Sequence, residues 1–132
     1  MRPVPVDTNV LVRLAAGDSP AEHAAAEALL AAGPILIVPT VLLEAEWVLR
    51  SIYAYSPAQF LAFAEWLSES QSVQLEQSDT VREALRLHGL GFDFADALHL
   101  AAADGQPLAT FDKALVRRAK RQNIPVRALP GP

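Results

Sequence analysis

A chain of 132 residues, 52% apolar and 20% charged, is long enough to bury one core and too apolar for disorder, so a single domain over 1–132 is expected. A net charge of −4 excludes a nucleic-acid binder that relies on a global positive field, though not an enzyme that holds cations. The absence of cysteine excludes disulfides, thiolate metal sites and a cysteine nucleophile, and with no signal-peptide pattern or membrane-length apolar run a soluble, cytoplasmic protein without membrane association is expected.

In chain order, "VPVD" (4–7) reads as a short strand, with Pro5 suited to a strand start or edge. It ends in the polar triplet Asp7-Thr8-Asn9, after which "VLVRL" returns to apolar packing. "GDSPAEHAAAEALLAAGP" predicts a helix capped by Ser19, with Pro20 in the first helical position, Glu22 closing a capping box, and Gly33-Pro34 as the stop. "ILIV" (35–38) is a short buried strand between prolines, and "TVLLEAEWVLRSIYAY" (40–55) is a helix with Thr40 as its cap. "SPAQFLAFAEWLSES" repeats the start signature with Ser56, Pro57 and Gln59.

A weak strand falls near "SVQL" (72–75), and Thr80 with Glu83 announces a helix ending near Gly89. "DFADALHLAAADG" is a helix capped by Asp93 and stopped by Gly105, "PLAT" (107–110) a strand, "DKALVRRAKRQN" a helix and "IPVRAL" a last short strand. Strands alternating with helices imply an α/β/α sandwich, with a mostly parallel central sheet of about five short strands covered on both faces.

In an open parallel sheet, ligands bind beyond the carboxyl ends of the strands. Asp7 ends the first strand, Asp112 lies two residues past the end of "PLAT", and Glu44 and Asp96 sit early in helices that follow turns or strands. If those helices follow their strands in the usual sense, four carboxylates are expected to converge on one edge. Their mutual repulsion calls for a counter-charge, and an all-oxygen donor set favours Mg²⁺ or Mn²⁺ over zinc. Each has a bland reading of its own: Asp93 and Asp112 as N-caps, Asp96 as a partner of the helix dipole, Asp7 as a turn residue.

Glu44 and Glu46 stand two apart and point to different sides of their helix. Val41, Leu42, Ala45, Val48, Leu49 and Ile52 form the apolar face, which Leu43 and Trp47 extend around Glu44. Glu46 faces Arg50 as a surface pair. Glu44, embedded among apolar neighbours, is the one expected in the site, with either a raised pKa or a bound cation.

"VDTNVLVRL", "VLLEAEWVLR", "FDFADALHLA" and "LATFDKAL" together resemble the PIN domain, in particular the VapC-type toxins of toxin–antitoxin pairs, in order and at compatible spacing from near Met1 to about residue 118. The resemblance implies a Mg²⁺- or Mn²⁺-dependent endoribonuclease whose acidic set is Asp7, Glu44, Asp96 and Asp112. Asp7 would be the main metal ligand, Asp96 and Asp112 would bind directly or through water, and Glu44 would orient or deprotonate the attacking water. Thr8, Asn9 and Thr110 match the family's polar neighbours and would brace the carboxylates, with Asp93 beside them. A VapB-like antitoxin and a homodimer are the implied partners.

RNA needs positive charge, which "DKALVRRAKRQN" supplies through Lys113, Arg117 and Arg118, with Arg13 as a further candidate. The bland reading is a solvated helix face whose cations complement the C-terminal dipole. His99 falls three residues after Asp96 and is expected to be a partly buried structural histidine, while His23 and His88 lack companions at ligand spacing. Trp47, Tyr53, Tyr55, Phe60, Phe63 and Trp66 are expected mostly in the core, any exposed remainder marking a partner surface. "GLGF" (89–92) is read as a loop able to flex before Asp93.

Three other readings share parts of this pattern. A haloacid dehalogenase-type phosphatase needs a second Asp two residues after the first, where Asn9 stands. A receiver domain needs adjacent early acids and a lysine after a late strand. A non-catalytic PIN-like module that binds RNA or protein would not need the carboxylates intact.

Overall fold

The computed structural model describes residues 2–131. Its elements run β1 (Val4–Pro5), α1 (Thr8–Ala15), α2 (Pro20–Ala32), β2 (Ile35–Ile37), α3 (Pro39–Ser51), α4 (Pro57–Glu69), β3 (Val73–Leu75), α5 (Ser78–Gly89), α6 (Phe94–Ala103), β4 (Leu108–Thr110), α7 (Lys113–Arg121) and β5 (Val126–Ala128). The five short strands are parallel wherever they pair: β1, β2 and β3 form one sheet in that order, and β4 and β5 a second. No helix among the described residues is long and apolar enough to cross a membrane.

The chain forms two compact units, residues 1–78 and 79–132. In the first, α1 packs on α2 and α3, and α4 packs on β3. Leu11, Ile35, Ile37, Leu42, Leu49, Phe60 and Leu67 are fully buried there. In the second, α6 and α7 pack on the β4–β5 pair, with Phe92 and Phe94 among its most buried side chains.

The helix α1 is the element the apolar pattern does not announce. A mixed run of Val and Leu suits a buried strand or a buried helix alike. What decides it is the cap: Asp7 is extended, and its Oδ1 accepts the Val10 N–H at 3.2 Å. Leu11, Val12 and Leu14 then turn inward.

The two proline-preceded capping boxes have different fates. Ser56 and Gln59 close theirs in both directions, at 3.2 and 2.8 Å. Ser19 makes no side-chain cap, and Glu22, which would return the second bond of the box, is taken by Arg13 Nε at 2.7 Å. Thr40 is not a cap either: Val38 holds that position, with Pro39 as the first helical residue. Thr80 likewise lies inside α5, which begins at Ser78, and Glu83 pairs with Arg86 at 2.6 Å. The stop after α6 is shared by Asp104 and Gly105, both in the left-handed region.

The middle helices expose more aromatic surface than expected. Only Phe60 of the six middle aromatics is fully buried, while Trp47 and Trp66 are exposed. Tyr53 and Tyr55 are half-buried and use their hydroxyls, Tyr53 donating to Asp18 at 2.8 Å and Tyr55 to the Ala15 carbonyl at 3.1 Å.

Candidate active site

In the first unit, two elements deliver the acids. Asp7 follows β1 and caps α1, so one of its oxygens is fixed by the Val10 N–H and the other is left for a further ligand. Asp7 itself is exposed. Thr8, the first residue of α1, donates its hydroxyl to Glu44 Oε1 at 2.5 Å across 36 residues of sequence. This bond fixes the rotamer of Glu44, which sits in the second turn of α3. Asn9 is exposed beside Arg13 and Glu22, in a shallow cleft between α1 and α2.

The surroundings of Glu44 and Glu46 reverse the expectation. Glu44 is exposed and held by Thr8, not embedded among apolar side chains. Glu46 is 4% exposed and bonded to Arg50 at 2.9 and 3.4 Å. The buried residues of α3 are Leu42, Ala45, Glu46 and Leu49, a four-residue helical stripe whose third position is the acid. The buried face is therefore rotated toward Glu46, which leaves Trp47 and Ile52 in solvent. Glu44 keeps its place as the candidate, because an exposed carboxylate held by one hydroxyl is accessible to ligand.

In the second unit, Asp93 caps α6, its Oδ2 accepting the Ala95 and Asp96 N–H groups at 3.2 and 3.4 Å. Asp96 is the third residue of that helix and half-buried. Burial raises its pKa above the ordinary aspartate value, and the charges of Asp93 and Asp112 raise it further, against a smaller lowering by His99. Asp112 caps α7, accepting the Leu115 N–H at 3.1 Å. Its own N–H is bonded to Thr110 Oγ1 at 3.0 Å, so the threonine fixes the backbone from which the carboxylate projects. His99 is exposed on the same helix, not partly buried.

The loop between α5 and α6 is tied down. His88 is buried and its Nδ1 donates to the Phe92 carbonyl at 2.7 Å, while Leu90, Gly91 and Phe92 return backbone bonds to the end of α5. Gly91 has φ +104°, and a Cβ there would run into the Arg118 guanidinium. "GLGF" thus serves to seat Arg118 against the loop that leads to Asp93.

The candidate cations divide. Lys113 and Arg117 are exposed, four residues apart on one face of α7. Arg118 is half-buried against Gly91. Arg13 is engaged: its guanidinium bonds Glu22 at 2.7 Å, Asp18 at 2.8 Å and the Tyr53 hydroxyl at 3.3 Å. Its pKa is raised, mainly by the bond to Glu22, and that of Asp18 is lowered, mainly by Tyr53. Arg13 is a structural clamp at the α1–α2–α3 corner and is dropped from the cationic set.

The PIN domain family matches residues 4–121, and the chain belongs to that family. No curated protein gives a significant match. The PIN domain is in general a nuclease fold, and its nucleases generally use divalent metals. Among the described residues no three acidic or imidazole side chains already stand together as a metal-holding group. The donor chemistry nevertheless fits a hard divalent cation. Asp7, Glu44, Asp93 and Asp112 each commit one oxygen to a hydrogen bond within the chain, leaving the other for a ligand. Asp96 stands in an anionic field that a cation would relieve.

What the sequence missed here are pairings with no spacing signature: Thr8 with Glu44, and Gly91 with Arg118. The glycine is the one that left a trace, as the second of two glycines just before a capped helix.

Proposed function

We propose that the protein is a Mg²⁺- or Mn²⁺-dependent endoribonuclease, the toxin of a VapC-type pair restrained by a VapB-like antitoxin. The observation that carries this reading is the match of residues 4–121 to a family that is in general nucleolytic, and it is supported by Asp96, whose pKa is raised by burial and by the charges of Asp93 and Asp112. The activity calls on Asp7 and Glu44 from residues 1–78, and on Asp96 and Asp112 from residues 79–132. A bound cation supplies polarisation of the phosphate and a lowered pKa for water.

The chain's own groups do the rest. Asp7, Asp96 and Asp112 would hold the metal, with Asp7 as the main ligand. Glu44 orients the attacking water and takes its proton, and Thr8 keeps the carboxylate in one rotamer for that task. Thr110 and Asp93 fix the backbone that presents Asp112 and Asp96. Exposed Trp47, Ile52 and Trp66 support a homodimer or antitoxin surface on the first unit.

The test is cleavage of single-stranded RNA by purified protein, with Mn²⁺ and with chelator, for wild type and Asp7→Asn. Cleavage that needs metal and vanishes in a folded Asp7→Asn variant is expected. RNA binding without cleavage in any metal would establish the non-catalytic module instead.

Lys113, Arg117 and Arg118 are proposed to meet phosphates. Replacing Arg117 and Arg118 together with Ala is expected to weaken RNA binding and lower the slope of log affinity against log salt by about 0.7 per lost phosphate contact. An unchanged slope would assign both side chains to the solvated surface.

A further inference from the structure

The most exposed phenylalanine of the chain stands between two residues of the candidate site. Phe111 is 67% exposed, with Thr110 before it and Asp112 after it. It is the apex of a tight turn closed by the Asp112 N–H on Thr110 Oγ1 at 3.0 Å. The turn is anchored from the other side as well. Leu129 N–H bonds the Thr110 carbonyl at 2.8 Å, and the following chain passes beside the ring, where a Cβ on Gly131 would lie 3.7 Å from Phe111 Cδ1. The tail therefore passes near one edge of the ring, and most of the residue is left in water.

We infer that Phe111 is a stacking platform for a nucleobase of the RNA, next to the phosphate that is cut; this rests on the nuclease reading. Three features of the same unit point to a base as the occupant. Consecutive Cα atoms are about 3.8 Å apart, so the ring stays in the immediate neighbourhood of the Asp112 carboxylate. The helix that begins at Lys113 carries Lys113 and Arg117 exposed at a four-residue spacing, a cationic track for the backbone of a strand whose base stacks at its start. The backbone that carries the ring is held before RNA arrives, by the Thr110 turn and the Leu129 bond, so only side-chain freedom is left to lose on stacking. A base presents a flat apolar face and needs no hydrogen bond from Phe111, so the platform tolerates any sequence and holds single strands.

The experiment measures binding of a short single-stranded oligoribonucleotide in Ca²⁺, by anisotropy, for wild type and for Phe111→Ala, Phe111→Leu and Phe111→Trp. A parallel set of oligonucleotides carries one abasic position each. Phe111→Ala and Phe111→Leu are expected to bind about 5- to 100-fold more weakly, and Phe111→Trp at least as tightly as wild type. One abasic position should weaken wild type by a similar factor and leave Phe111→Ala almost unaffected, which ties the ring to a single base. All variants should melt with wild type, since the side chain is exposed.

Wild-type affinity in Phe111→Leu would reduce the ring to apolar bulk and overturn the inference. Unchanged RNA binding in Phe111→Ala, with a change in sedimentation, would overturn it in favour of a protein contact. Either result leaves the nuclease reading standing, whereas a wild type that binds no RNA removes both.

Discussion

Asp96→Asn is expected to abolish metal-dependent RNA cleavage and, at neutral pH, to make the protein slightly more stable. The two effects have one cause. Burial and the neighbouring Asp93 and Asp112 raise the pKa of Asp96, so the folded state binds this proton more tightly than the unfolded chain. A group shifted upward contributes stability that is full below its unfolded pKa, near 3.8, and is lost as pH rises through the folded value. At pH 7 the ionised carboxylate is therefore a liability without a cation, and Asn removes it. The gain is small, about 2 °C, because the group remains partly hydrated. It should shrink as pH falls through the raised folded pKa toward the unfolded value of 3.8, as wild type becomes protonated.

Mn²⁺ is expected to reverse the order. It is expected to bind the ionised wild-type site and raise the wild-type melting temperature, with a smaller response from Asp96→Asn. Loss of cleavage should exceed the ~10–100-fold that removal of an outer partner of a metal site costs. Melting curves at several pH values, with and without Mn²⁺, beside an RNA cleavage assay, check all of this. A variant less stable at pH 7 that still cleaves would assign Asp96 to helix capping alone.

The backbone elements were legible where a local rule had no competitor. Ser56 and Gln59 close their box because nothing else claims either side chain, and Asp93 and Asp112 cap as their positions suggest. Ser19 and Glu22 carry the same signature, but a tertiary partner, Arg13, outbids the local bond. The parallel α/β class followed from alternation alone, whereas α1 did not, because Val and Leu in a short run serve strand and helix equally.

The candidate carboxylates were legible as positions and not as environments. Helical spacing says which residues share a face, but only packing says which face turns inward. On α3 that ambiguity, one position wide, was enough to exchange the burial of Glu44 and Glu46. Contacts such as Thr8 to Glu44 join residues far apart in sequence, so no local pattern contains them.

That exchange predicts a separation of function from stability on one helix. Glu44→Gln is expected to cut cleavage by about 100-fold or more, with stability within about 0.5 kcal/mol of wild type, since the side chain is exposed. Thr8→Val, which frees the Glu44 rotamer without removing the acid, should lose about 10- to 100-fold. Arg50→Ala should do the opposite. It leaves the Glu46 carboxylate, only 4% exposed, without the guanidinium bonded to it at 2.9 Å. Breaking a buried pair from one side costs about 3–5 kcal/mol, and the exposure of Arg50 lets water reduce that to about 2 kcal/mol, read as a fall of about 5–10 °C in melting temperature. Glu46→Ala should destabilise less, because Arg50, with 48% of its side chain exposed, can rehydrate. Below the melting transition, Arg50→Ala should cleave like wild type per folded molecule. The reverse pattern, with Glu44 variants active and Glu46 variants stable but inactive, would move the catalytic carboxylate two residues along α3.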